Sequence, residues 1–222
     1  MDETAIANAV QGERLRLCAV LDELRPQEWA ASSLCAGWTV REVVAHLTIP
    51  TRATWPQVIV GAIRARGSFD RMATTWARRR AARFSTAHLI AQLRTTAGSA
   101  QRMPGSAPMD PLVDVLVHGQ DIVRPLDRSL PIPVALGAQV LEYVAGNAFF
   151  GTPKRLAGLR LIATDVNCRV GGGTSEVSGP VEDLLLVSTG RPLGLSGLSG
   201  SGSEILRERL TAAPTGQGNL HG

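Results

Sequence analysis

Apolar positions along this chain fall into two regimes. Up to about residue 150 they recur at helical spacing, and beyond about residue 158 they alternate as in strands. Ile6, Val10, Leu17, Leu21 and Leu24 mark a first helix, which Pro26 ends. Residues 27–37 read as a loop. Thr39, with Glu42 three residues on, makes a capping-box start for a second helix. That helix breaks near Ile49-Pro50, and its pattern resumes to about Ile63. Residues 67–85 are basic and show no clear period, which predicts an irregular, partly helical stretch. A third helix is predicted over 86–102, before the breakers Pro104, Gly105 and Pro108. Asp110-Pro111 reads as the N-cap and first turn of a fourth helix, ending before Pro125. A fifth spans about 134–150.

The second regime opens with Gly158-Leu-Arg-Leu-Ile-Ala-Thr164, an alternating strand. Gly171-Gly172-Gly173 reads as a hairpin-like turn and Ser175-Glu-Val-Ser178 as a short second strand. Pro180 opens a helix over Val181 to Ser188, which Gly190 caps. A Gly/Ser-rich stretch over 194–202 leads to a last helix, about 203–210. The expected fold class is α+β in two domains: an all-α domain over 1–150 and a small α+β domain over 151–210. A polar tail over 211–222 is expected to be disordered. No internal repeat is evident.

The 222 residues are 44% hydrophobic and 19% charged, as in a globular protein with a real core. No apolar run approaches the ~18 residues of a membrane span. Met1-Asp2-Glu3-Thr4 lacks the basic start of a signal peptide, so the expected location is cytoplasmic. Three cysteines, Cys18, Cys35 and Cys168, form no CxxC, which argues against a disulfide framework. Cys18 falls on the apolar side of the first helix, and Cys35 precedes a turn, a position compatible with a nearby site but a weak one for a nucleophile. The net charge is +4, carried almost wholly by arginine, with Lys154 the sole lysine. The densest basic run is Arg64 to Arg83. A solvated helix face explains it better than nucleic-acid binding, because aromatics are only 4% and stacking surfaces are scarce. No nucleic acid and no membrane partner is expected.

Asp114-Val-Leu-Val-His118 places a carboxylate and an imidazole one helical turn apart, on one face. His46 lies in a separate amphipathic segment, Trp38-Thr-Val-Arg-Glu-Val-Val-Ala-His-Leu47. Two adjacent helices would bring two nitrogens and one oxygen to a point, a donor set for a catalytic divalent metal, zinc above all. An unpaired Asp114 within Leu112-Val-Asp-Val-Leu-Val117 would be costly to bury, and a metal or histidine partner removes that cost. Asp121, three residues after His118, is either a partner that orients an imidazole or the end of a helix salt bridge. His88 has no partner at ligand spacing and reads as core or surface. Trp29 and Trp38 read as packing anchors. The glycine run lacks the GxGxxG form of a nucleotide loop.

Three ordered segments resemble the mycothiol-dependent maleylpyruvate isomerase family. They are Leu24-Arg-Pro-Gln-Glu-Trp29 with Leu34 to Leu47, then Asp114-Val-Leu-Val-His-Gly-Gln-Asp-Ile122 with Arg124-Pro125-Leu126. The third is Gly158 to Asp165 with Val177-Ser-Gly-Pro180 and Leu184 to Arg191. The resemblance implies a DinB-like four-helix bundle that binds a divalent metal, followed by a small C-terminal α/β domain. Its metal ligands fall on His46, Asp114 and His118. The family's isomerase pattern has glutamate where this chain has Asp114, shorter by one carbon–carbon bond, about 1.5 Å.

The chemistry implied is that of a thiol cosubstrate, mycothiol, whose sulfur loses its proton at the metal and adds to an electrophilic small molecule. Isomerisation follows if addition is reversed, and S-transfer if it is not. A cation should hold an acidic substrate, with Arg191 and Arg160 the candidates. Two other readings stay open: a metal-dependent hydrolase on the same bundle, and a non-catalytic metal-binding or regulatory protein. Either monomer or homodimer is compatible with the sequence.

Overall fold

The computed structural model describes residues 1–212. The tail expected to be disordered lies, from residue 213, outside the described residues. The chain divides into two compact units, Met1–Leu130 and Pro131–Gly222.

The first unit is helical. Its helices are α1 (Glu3–Asp22), α2 (Val40–Leu47), α3 (Trp55–Arg64), α4 (Phe69–Arg83), α5 (Thr86–Thr95) and α6 (Asp110–Val123). α1, α6, α2 and α5 close a ring in which each packs on the next, which is the expected four-helix bundle; α4 lies along α2, and α3 along α4. Each start has a local cause. Asp2 accepts from the amide of Ala5, Ser68 from that of Arg71 and Ser85 from that of His88. At α2 the capping box forms as expected: Thr39 Oγ1 accepts from Glu42 N, and Glu42 Oε2 accepts from Thr39 N at 2.7 Å.

α6 is the central element. From Leu112 to Val123 every residue except Asp114 is buried, so the helix is enclosed nearly all round. It begins at Asp110, one residue earlier than expected, and Asp110 Oδ2 accepts from the Ala107 amide at 2.7 Å. The largest departure is the basic stretch 67–85, which is regular helix from Phe69. Its buried side is Met72, Ala73, Ala77 and Ala81, mostly methyl groups that a search for large apolar residues passes over. The third expected helix ends at Thr95 rather than 102, where Thr95 and Thr96 hydroxyls turn back onto the carbonyls of Ala91 and Gln92.

The second unit begins twenty residues before the expected boundary. The fifth predicted helix, α7 (Val134–Ala145), belongs to it and packs on α9. After the short α8 (Thr152–Arg155) come β1 (Leu159–Ala163), β2 (Arg169–Val170) and β3 (Ser175–Gly179), then α9 (Val181–Ser188) and α10 (Ser203–Ala212). The sheet order is β2-β1-β3, with β2 antiparallel and β3 parallel to β1. Gly171–Gly173 therefore does not turn a hairpin between the two predicted strands; it links β2 to β3 across the end of β1. A Cβ on Gly173 would fall 1.9 Å from the Gly158 carbonyl carbon, so only glycine fits this crossing. Leu159, Leu161 and Val177 face a core shared with Leu141, Val181 and Leu184. Among the described residues no helix is long and apolar enough to cross a membrane.

Candidate metal centre

His46 lies in the last turn of α2, whose Val40, Val43, Val44 and Leu47 are buried against the bundle. Asp114 and His118 lie one turn apart on α6, which packs on α2. The helix pair brings all three together: one donor atom from each of His46, Asp114 and His118 lies within 4.8 Å of the others. Both imidazoles are 3% exposed, and their ring centroids are 5.0 Å apart at 76°. Trp38 closes the other side of His46, its ring centroid 5.4 Å away in an edge arrangement. It is the packing anchor expected of it.

Asp121 settles the orientation of His118. Its carboxylate is fully buried, and Oδ2 accepts from His118 Nδ1 at 2.8 Å. With Nδ1 as donor, the Nε2 lone pair points away from Asp121, and this nitrogen is buried with no hydrogen-bond partner. A buried nitrogen acceptor without a partner is costly in an otherwise satisfied interior. Arg14 supplies positive potential to Asp114. Its guanidinium is buried on α1, donates to the carbonyls of Thr96 and Ala97 at 3.2 Å and is attracted by Asp114. Burial lowers the Arg14 pKa, and the Asp114 carboxylate opposes that shift.

Cys35, which the sequence places before a turn and near a site but not among the ligands, joins the cluster. Its Sγ donates to Asp121 Oδ2 at 3.0 Å and lies 3.6 Å from His118 Nδ1. The loop is held there by its backbone, since Leu34 N donates to the Asp121 carbonyl. The signal in the sequence is the position of Cys35 within Leu34 to Leu47, eleven residues before His46. Cys35, His118 and Asp121 form a second close group. Their atoms are already bonded to one another, so they read as the support of the triad rather than as a rival site.

The donor set of the triad fits a divalent metal. Ligands at ~2.0–2.2 Å from a shared ion stand roughly 3–4 Å apart, and the three donor atoms here lie within 4.8 Å of one another. Even with the shorter aspartate at position 114, its carboxylate stays within 4.8 Å of the two imidazoles.

The remaining candidates belong to other elements. Arg160 points away from the core side of β1 and pairs across the strands with Glu176 at 3.5 Å. Arg191 is buried after α9, and its Nη1 donates to the Thr189 carbonyl. His88 is exposed and stacks on Phe84 at 4.9 Å between centroids. His221 lies outside the described residues. Cys18 and Cys168 are buried; burial pushes the Cys18 thiol up to about 11 and raises that of Cys168.

Residues 10–116 match the family described as the mycothiol maleylpyruvate isomerase N-terminal domain. Two solved structures have the same fold across 91% of this chain and 94% of theirs. One is the mycothiol-dependent maleylpyruvate isomerase, at 15% identity and a TM-score of 0.59. The other is a histidine-to-alanine mutant of that enzyme, at 14% identity and the same TM-score. No curated protein matches the sequence.

Proposed function

We propose that this chain is a metal-dependent enzyme that uses mycothiol as cosubstrate, acting as an isomerase or thiol S-transferase on a small electrophile. His46, Asp114 and His118 hold the ion, and zinc suits two imidazoles and a carboxylate best. The observation that carries this reading is the His118 ring: Nδ1 is bonded to Asp121, Nε2 is buried without a partner, and the residue groups with His46 and Asp114. The match of residues 10–116 to the mycothiol maleylpyruvate isomerase N-terminal domain supports the same activity class.

The protein's own part is mainly orientation. Asp121 fixes the His118 tautomer and makes the ring a better donor at Nε2. Cys35 adds a hydrogen bond to the same Asp121 oxygen and limits its movement. Trp38 and the buried valines of α2 exclude water from one side of the His46 ring. A divalent ion held there would lower the pKa of a thiol bound to it and so favour its nucleophilic form near neutral pH. For an acidic substrate, Arg191 and Arg160 are the proposed cations, a role that the KM of Arg191→Gln and Arg160→Gln variants decides.

The first experiment is elemental analysis of protein purified without chelator, wild type beside His118→Ala. About one divalent ion per chain in the wild type and none in the variant is the expected result. Turnover of maleylpyruvate or another electrophile only when mycothiol is present then separates this reading from hydrolysis. Wild type that holds no metal, and takes up neither zinc, nickel, cobalt nor manganese, rejects the proposal.

A further inference from the structure

A second built feature of the helical unit is a hollow of about 790 Å³ between α3 and α4, within the size range of small-molecule sites. Five arginines line it, Arg52, Arg64, Arg71, Arg79 and Arg80, and no aspartate or glutamate does. Two of the five are tied down. Arg71 Nε donates to the Ala65 carbonyl at 3.0 Å, and Arg80 Nε to Thr48 Oγ1 at 2.8 Å, with Gln92 as a further acceptor. Arg52, Arg64 and Arg79 make no side-chain hydrogen bond or ion pair among the described residues. Burial lowers the pKa of Arg80, and the charges of Arg52 and Arg83 lower it further. This is a concentrated positive field without a counter-charge of its own, and it favours an anion.

The walls are not only cationic. Ile49, Val60, Met72 and Trp76 line the same hollow. Gly61 makes this wall possible: a Cβ there would stand 2.6 Å from Trp76 Cζ2 and 2.7 Å from Met72 Sδ. The missing side chain lets the indole lie directly against α3. An inorganic anion would leave the apolar wall unused, and a neutral apolar molecule would leave the arginines unused. A flat apolar body that carries acidic groups uses both, since guanidinium groups bind carboxylate and phosphate in the same forked geometry. A single indole in the lining gives few stacking surfaces for a nucleic-acid strand.

We propose that this hollow is a binding site for a small organic dianion with a flat apolar body, its acidic groups held by Arg52, Arg64 and Arg79. None of His46, Asp114 and His118 lines it, and the proposal does not depend on the metal reading.

Isothermal titration calorimetry on the full chain tests it, with naphthalenedicarboxylate, naphthyl phosphate and naphthalenemethanol as probes. The expected result is saturable one-to-one binding of at least one dianion, with the neutral alcohol roughly tenfold weaker or worse. Whichever dianion binds more tightly tells whether the natural acid group is carboxylate or phosphate. Arg52→Gln and Arg79→Gln, both at exposed positions, should each weaken that binding about tenfold while leaving the melting temperature unchanged. His118→Ala should bind the dianion as the wild type does. The proposal is overturned if neither dianion binds, if the alcohol binds equally, or if both arginine variants bind like wild type. It is also overturned if His118→Ala abolishes binding, which would place the probe at the metal centre instead. Tighter binding of a single-stranded oligonucleotide than of either dianion at physiological salt would overturn it as well.

Discussion

At the scale of single residues, the His118–Asp121 hydrogen bond is the detail on which the centre turns. A neutral imidazole can offer Nε2 to a metal only while its proton sits on Nδ1, and the buried Asp121 carboxylate holds it there. Asp121→Asn keeps the shape but removes the charge, and it should weaken metal binding about 10–100-fold. Competition against a chelating dye measures this; an unchanged affinity would reduce Asp121 to a packing role. The three cysteines divide in the same way. Cys18 and Cys168 are buried with raised pKa values, whereas Cys35 is half-buried at the edge of the cluster. Brief alkylation near neutral pH should therefore mark Cys35 first, as read by peptide mass spectrometry. Asp114 and His118 were legible as a pair because a four-residue spacing on one helix is local information, whereas His46, on α2, was tied to them by the resemblance rather than by spacing. The contact of Cys35 with Asp121 was not, because eighty-six residues separate them and only the folded bundle joins them.

Among the elements, those with strong punctuation were the most legible. The Thr39–Glu42 box, Pro111 near the start of α6 and Pro180 before α9 each fix a boundary by local chemistry. α4 was not legible, since alanines at every fourth position carry its buried side and arginines cover the rest. β2 is only two residues long, too short to show alternation. The Gly171–Gly173 run was legible as a turn but not as a crossing, because its partner is the Gly158 backbone. Gly173→Ala should accordingly destabilise the second unit severely, with loss of the cooperative unfolding transition in circular dichroism. The short 3-10 helix Pro26–Ala30 is anchored differently. Glu28 accepts from Arg128 at 3.1 Å and from the Arg25 amide at 2.6 Å. Arg128, and after it Arg25, hold its carboxyl down to about 2, against roughly 4.3 in an unfolded chain. A depressed carboxyl stabilises the fold fully above the unfolded value, and its contribution disappears as pH falls through about 2. The stability gap between wild type and Arg128→Gln in urea should be constant near neutral pH. It should shrink between about pH 4 and pH 2, and a gap independent of pH would show that Arg128 acts through something other than Glu28.

On the scale of the whole molecule, the change from helical to alternating pattern was plain in the sequence, but it does not mark where the units divide. α7 carries a helical pattern like those before it, and only its packing on α9 assigns it to the second unit, Pro131 onward. Periodicity reports the type of an element and not its neighbours, so the boundary expected near 150 falls at Leu130. The same distinction governs how metal should act on stability. The proposed ligands come from two different helices of the Met1–Leu130 ring, so an ion bound by the folded ring and not by the unfolded chain ties α2 to α6. Linkage then gives about 2.7 kcal/mol when the free metal is a hundred times its Kd. For a chain of this size that corresponds to a rise in Tm of roughly 5–10 °C. Wild type should show this rise with zinc and lose it on chelation, while His118→Ala should melt at one temperature under both conditions. Equal shifts in wild type and variant would mean that the ion binds elsewhere, and the triad would then have to be read as a polar cluster without a metal.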